Sequence, residues 1–172
     1  MNRRDLYCAL SSNMFALSKS VLFRSESSIM KFVKPGLGLL LAAFMIFMGI
    51  QKFGDANPIF SHLAAESGIE FFEPQVRLLT GVLEILAAIL LAVGVFLKRF
   101  EGFGALLSLG VIGGAIVFHL TPWLGINAPV AFADGGGYVY SPMLFGMAVV
   151  FGALSAVLVW MDKDKLPVIG KA

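Results

Sequence analysis

The sequence predicts an all-α polytopic membrane protein, a bundle of four transmembrane helices with both termini in the cytoplasm. Three observations carry this prediction: an apolar composition, four long apolar segments, and basic residues confined to alternate connections. Hydrophobic residues make up 58% of the 172 residues and charged residues 14%, against about 45–50% and 25% in soluble domains. The core of a soluble domain of this size cannot bury so many hydrophobic residues, so we expect lipid to cover much of the surface.

Four segments are long and apolar enough to cross a bilayer, which takes about 20 helical residues. They cover residues 36–53, 76–97, 102–120 and 143–161. Within a bilayer such segments satisfy their backbone hydrogen bonds only as helices. The membrane domain is therefore predicted to occupy residues 31–162.

The two ends of the chain differ in composition from the four apolar segments. Residues 1–30 are polar and rich in serine, too polar for the apolar core of a signal peptide. We expect either a disordered extension or a translation start that belongs at Met30. Residues 163–172 are expected to form a short cytoplasmic tail.

The basic residues orient the bundle. The connections at 54–75 and 121–142 contain acidic residues but neither lysine nor arginine. Basic residues lie in the other three segments: Arg24, Lys31, Lys34, Lys98, Arg99, Lys163, Lys165 and Lys171. Because cytoplasmic segments are enriched in Lys and Arg, both termini are predicted to be cytoplasmic. The most economical location is the bacterial inner membrane.

The first acidic connection contains signals for a short helix. Asn57 followed by Pro58 is a capped helix start, and Gly68 is a plausible stop. Its apolar stripe predicts an amphipathic helix lying on the outer surface, with Phe71 and Phe72 returning toward lipid.

Several function classes are disfavoured. Cys8 is the single cysteine, which excludes a CxxC redox pair and a thiolate metal cluster. The two histidines lie at different predicted depths, which argues against bis-histidine haem ligation. Residues 135–137 are three glycines without a preceding strand or following lysine, so a flexible loop is favoured over a phosphate site. No metal site is predicted, and no basic patch indicates nucleic acid.

Glu84 is an ionisable residue in the middle of the otherwise apolar second span. A carboxylate at that depth costs roughly 2.5–3.5 kcal/mol on insertion scales. Side chains lean toward the N-terminus of their own helix, so Glu84, Lys52 and His119 are expected to converge in the outer half of the bundle. Arg77 lies on the face of Glu84 but leans away, toward headgroups. The predicted polar intramembrane cluster, a candidate ligand or proton site, is Lys52, Glu84, His119, Gln51 and Arg77.

Two interpretations of this cluster stay open. A buried Lys52–Glu84 pair can simply fix how two helices dock, or it can serve a ligand or a proton. Glu84 itself can be charged or neutral at that depth. Gly113 and Gly114, at a similar predicted depth, either permit close helix packing or leave room for a ligand.

The arrangement resembles the DoxX family. The resemblance rests on four spans, Gly49-Ile50-Gln51-Lys52 at the end of the first, Gly81-Val82-Leu83-Glu84 in the second, and His119 at the outer end of the third. It covers roughly residues 31–162. Some relatives are quinone-reducing membrane subunits of thiosulfate oxidation systems, and others accompany oxidative-stress or thiol-handling proteins.

The resemblance implies an integral membrane subunit of a redox or stress-related complex. No cofactor is evident, and a quinone is the candidate small molecule, with Lys52 and His119 at its carbonyl oxygens and Glu84 orienting Lys52 or relaying a proton. Because the chain has no self-contained catalytic motif, it is at most a quinone-linked oxidoreductase subunit. Its expected partners are the bilayer, a membrane or periplasmic redox protein, and further copies of itself. The alternatives are a non-enzymatic partner or assembly factor and, third, a small transporter.

Overall fold

The computed structural model describes residues 32–97 and 100–166. Predictions about residues 1–30, the pair Lys98 and Arg99, and residues 167–172 lie outside this part of the chain. The chain divides into two units, Met1–Gly36 and Leu37–Ala172, and the described part of the first, residues 32–36, is helical.

Four helices in the described part of the chain are long and apolar enough to cross a membrane, which confirms the predicted bundle of four transmembrane helices. They are α1 (Phe32–Phe53), α3 (Gln75–Leu97), α4 (Glu101–His119) and α5 (Met143–Met161). A shorter helix, α2 (Pro58–Ser67), lies between α1 and α3. The last turn of α1, Gln51–Phe53, is a 3-10 turn. The predicted span boundaries agree with these helices to within a few residues.

The contacts between the spans define an antiparallel bundle. Gly38, in the first half of α1, lies against Val95, near the end of α3. Gly49, near the end of α1, lies against Ile85, which is closer to the start of α3. Phe44 and Phe151 stack with ring centroids 3.7 Å apart, which joins α1 to α5. Consecutive spans therefore run in opposite directions.

Glycines allow α4 to approach its neighbours closely. A Cβ on Gly104 would lie 2.7 Å from the backbone nitrogen of Leu91 in α3, and one on Gly152 of α5 would lie 3.2 Å from Ile116. Small residues of this kind are the usual means of close helix contact in membranes, where no hydrophobic force drives helices together. At these positions glycine sets the interhelical distance.

The connection between α1 and α3 contains the predicted helix, but it packs more deeply than expected. Asn57 caps α2 by accepting a hydrogen bond from the Ile59 amide at 3.1 Å, and Gly68 ends it with a left-handed φ of 70°. Phe72, expected to face lipid, is instead buried edge-to-face against Phe118 of α4, with ring centroids 5.5 Å apart. Phe71 remains exposed.

The connection between α4 and α5 is a β-hairpin. Strands β1 (Ala128–Phe132) and β2 (Tyr138–Ser141) pair antiparallel, with Ala128 opposite Ser141 and an irregularity between Pro129 and Ala131. The glycines at 135–137, expected to form a flexible loop, make the tip, and each has a positive φ. Glycine fits such a tip because it adopts positive φ without a steric cost. We call the end of the bundle that carries α2 and this hairpin the hairpin end.

Two apolar clusters form the core of residues 32–97 and 100–166. The larger one joins the four spans and includes Leu41, Met45, Leu91, Ile112 and Leu158. The smaller one lies at the hairpin end and consists of Leu63, Phe72, Leu124 and Ala128. The space between these clusters contains the polar residues described next.

Candidate functional site

Lys52 and Glu84 form a buried ion pair between α1 and α3, as the sequence predicted. The ammonium of Lys52 donates to Oε1 and Oε2 of Glu84 at 2.9 and 2.7 Å. Its third proton goes to the carbonyl of Met48, one turn earlier, at 3.1 Å. Both residues are less than 10% exposed. Because an ammonium has three protons, every donor of Lys52 is matched.

Two glycines bring the helix backbones together at this pair. A Cβ on Gly81 would lie 3.0 Å from Cβ of Lys52, and one on Gly49 would lie 3.2 Å from Cβ of Glu84. Each glycine therefore packs against the charged residue of the opposite helix. The two motifs Gly49-x-x-Lys52 and Gly81-x-x-Glu84 form one reciprocal contact, in which the glycines allow the approach that the ion pair needs.

Arg77 does not reach toward headgroups, and this expectation is wrong. It is only 3% exposed, and its guanidinium donates to the backbone carbonyls of Lys52 and Gly54 at 2.5 and 2.6 Å. Its Nε also donates to Glu73 at 2.5 Å. The last carbonyls of a helix have no partner within the helix and favour a cation. Arg77 thus caps the end of α1 and fixes the backbone of Lys52.

The other two members of the predicted cluster behave differently. Gln51 is exposed, and its side-chain amide donates to Phe47 of its own helix, so it does not join the pair. His119 is buried at the end of α4, with Nδ1 2.8 Å from the carbonyl oxygen of Gly125. Since a carbonyl only accepts, Nδ1 carries a proton. Within the described residues His119 makes no hydrogen bond to Lys52 or Glu84.

A cavity lies between His119 and the Lys52–Glu84 pair. It has a volume of about 380 Å³, within the roughly 300–1,000 Å³ typical of ligand pockets. Among the described residues, four polar side chains line it, namely Lys52, Thr80, Glu84 and His119. The remaining walls are apolar and include Phe44, Met48, Phe60, Leu63, Phe118 and Met147. His119 thus shares a cavity wall with the ion pair without sharing its hydrogen bonds.

Glycines on α4 keep the cavity open. Gly110 and Gly114, one turn apart, line the cavity, and a Cβ on either would meet nothing within 4 Å. Gly113 also has open space beside it but lies outside the lining. Neither Gly113 nor Gly114 makes a close helix contact among the described residues, and Gly114 leaves open space at the cavity. Close packing is instead the role of Gly104.

Sequence reasoning did not single out three contributors to the site. Thr80 lies one turn before Glu84 on α3, so the i, i+4 spacing could have placed it beside the carboxylate. Gly110 has the same relation to Gly114. The covering of the cavity by α2, through Phe60 and Leu63, has no such local signal. It depends on how the connection folds back over the bundle.

Buried acidic residues also lie at the end of the bundle opposite the hairpin. Glu101, in the first turn of α4, and Asp162, which follows α5, are 7% and 2% exposed. Asp162 pairs with Lys165 at 3.0 Å. An acidic residue in the first turn of a helix is favoured by the helix dipole. We assign these residues to the termination and packing of the helices.

Fold and site together define a multi-pass membrane protein of four apolar helices in contact with the bilayer, with a buried ion pair beside an apolar cavity. The sequence model of the DoxX-like family matches residues 37–133, more than half of the chain. The chain therefore belongs to the DoxX-like family, as the motifs on α1 and α3 indicated. Comparison with curated proteins and with solved structures finds no match.

Proposed function

We propose that this DoxX-like protein binds the ring of a quinone-type molecule in the cavity and acts as a membrane subunit of a redox or stress-related complex. The cavity is the observation that carries the proposal. It lies within the apolar spans, its walls are mostly apolar, and its few polar groups are concentrated at Lys52, Thr80, Glu84 and His119. A lipid-soluble ring with polar substituents has this distribution of surface.

The roles of Lys52, Glu84 and His119 in this proposal differ from those expected from the sequence. Lys52 was expected to contact a quinone oxygen, but its three protons are matched by Glu84 and Met48. Its role in the proposal is therefore to hold the Glu84 carboxylate at the cavity wall. Glu84 and His119 are the groups that accept or exchange a proton with a bound ring. A partner protein supplies the electrons, since the proposal assigns no electron carrier to this chain.

A non-enzymatic partner or assembly factor is the second candidate. One observation favours it: the charges here are paired, Lys52 with Glu84 between α1 and α3, and Arg77 of α3 with Glu73, which lies just before that helix. Pairs of opposite charge of this kind are what a purely structural role in helix docking requires. In that case the cavity would bind no specific ligand.

Extraction of the purified protein separates the two candidates. The protein is purified in a mild detergent from native membranes, and its bound lipids are analysed for isoprenoid quinones in both redox states. The proposal predicts quinone approaching one molecule per chain. An unrelated four-helix membrane protein, purified from the same membranes in the same detergent, measures the background. Quinone at that background level in both redox states would contradict the proposal and favour the structural role.

A further inference from the structure

The hydrogen-bond donors of the cavity are already used within the protein. The three protons of Lys52 go to both oxygens of Glu84 and to the Met48 carbonyl. The hydroxyl of Thr80 donates to the carbonyl of Val76 on its own helix. Neither residue can donate to a ligand without giving up a bond that it makes in the protein, and a buried acceptor left without its donor is costly.

The acceptors of the cavity, in contrast, keep free capacity. His119 has its Nδ1 proton directed at the Gly125 carbonyl, 2.8 Å away, and Nε2 has no partner among the described residues. In a neutral imidazole protonated at Nδ1, Nε2 is an acceptor. The Glu84 carboxylate offers about four lone-pair sites, and Lys52 occupies two of them. Thr80 also retains lone pairs on its oxygen.

We propose that the cavity selects a ligand that donates hydrogen bonds, so that it binds the hydroquinone form of its ring in preference to the quinone form. The assignment rests on the proposed function and adds the redox state of the bound molecule. A hydroquinone has two hydroxyl donors, whereas a quinone has only carbonyl acceptors and would face the acceptors of Glu84 and His119. His119 Nε2 is assigned as the acceptor of one ligand hydroxyl.

Three probes of nearly the same shape test the preference. They are a short-chain benzoquinone, its hydroquinone kept reduced under anaerobic conditions, and the dimethyl ether of that hydroquinone, which has no donor and cannot be oxidised to the quinone without losing its methyl groups. Dissociation constants are measured on the full chain in detergent by calorimetric titration. The hydroquinone is expected to bind at least about tenfold more tightly than either other probe, which corresponds to roughly one well-made hydrogen bond.

The variant His119→Asn isolates the assigned acceptor. The amide of asparagine can take the place of Nδ1 and donate to Gly125, but it places no atom where Nε2 lies. The preference for the hydroquinone is expected to fall several-fold, while the affinity for the quinone stays unchanged. His62→Asn is the matched control, because His62 lies on α2 outside the cavity lining. Its expected preference is that of the unchanged protein.

The outcomes separate this inference from the proposed function. Quinone binding that equals or exceeds hydroquinone binding in the unchanged protein overturns the inference and leaves the proposed function standing. Absence of binding for both redox forms overturns the proposed function and the inference together. A full preference retained in His119→Asn contradicts the assignment of Nε2, and a variant that does not fold leaves the three-probe comparison on the unchanged protein as the decisive measurement.

Discussion

A Cβ atom on Gly81 of α3 would lie 3.3 Å from the carbonyl oxygen of Gly49 on α1. The same atom would lie 3.0 Å from Cβ of Lys52. Gly81→Ala is therefore expected to push the two helices apart where the ion pair forms. Overpacking of this kind costs about 1–3 kcal/mol. The expected result is a lower midpoint of thermal unfolding in detergent.

Gly113→Ala is the matched control, since a Cβ there meets nothing within 4 Å. Like Gly81→Ala, it replaces glycine by alanine within a membrane-spanning helix, so it corrects for the effect of alanine on the helix itself. Equal stability of the two variants would show that α1 and α3 are not held at the distance described.

Removal of one partner of the Lys52–Glu84 pair is expected to be severe. Lys52→Met leaves a buried carboxylate without its cation, and Glu84→Gln removes the charge while keeping the shape of the side chain. A broken buried pair costs about 3–5 kcal/mol if the remaining charge stays buried. Lys52→Met combined with Glu84→Leu should recover most of this loss, because no uncompensated charge remains. The measurement is the unfolding midpoint of Lys52→Met, of Glu84→Leu and of the double variant, with Glu84→Gln as the separate test of charge.

The same double variant separates structure from function. It should fold but bind the quinone-type ring weakly, since the carboxylate at the cavity wall is gone. A double variant with full affinity would place both residues in a purely structural role. Additive effects of the two single variants would contradict the direct contact between them.

Arg77 is expected to be irreplaceable by lysine. Its guanidinium contacts the carbonyls of Lys52 and Gly54 and the carboxylate of Glu73 together. Lysine has one nitrogen and no planar fork, so it cannot make this set of bonds. Arg77→Lys should cost about 1.5–3 kcal/mol for each charged hydrogen bond lost. Amide hydrogen exchange at residues 51–57 should rise, and exchange as slow as in the unchanged protein would rule out the capping role.

The orientation of the bundle is a separate prediction, and it rests on the distribution of lysine and arginine. A reporter fused after Lys165 should be cytoplasmic, and one inserted near Asp134, at the tip of the hairpin, should be external. Paired reporters that are active on opposite sides of the membrane make the measurement. The reverse pattern would leave the bundle intact but turn the cavity toward the cytoplasmic half of the membrane.

The spans and the ion pair could be predicted from sequence because each depends on a single strong effect. Apolar length defines a membrane helix, and the cost of Glu84 in lipid requires a partner at the matching depth. The direction in which helical side chains lean then selects Lys52. These are local rules, and the structure follows them.

The features that were missed depend on tertiary structure. The side chain of Arg77 points toward the N-terminus of its own helix, as expected. What it meets there is the end of α1, and no local sequence pattern predicts the position of that end. Phe72 was assigned to lipid from its hydrophobicity, which does not distinguish lipid from a site against Phe118. The hairpin has short strands, and it packs against α2 through tertiary contacts such as those of His62 with Tyr138 and Tyr140.

The central claim, that the cavity at the hairpin end holds a quinone-type ring, is tested most directly by filling the cavity from α4. Gly114→Leu places a side chain in the cavity, and Gly113→Leu places the same side chain outside its lining, since adjacent helical residues point about 100° apart. The measurement is the dissociation constant of the short-chain hydroquinone for both variants. We predict at least about a tenfold loss of affinity in Gly114→Leu and little change in Gly113→Leu. Equal affinity in the two variants would contradict the claim.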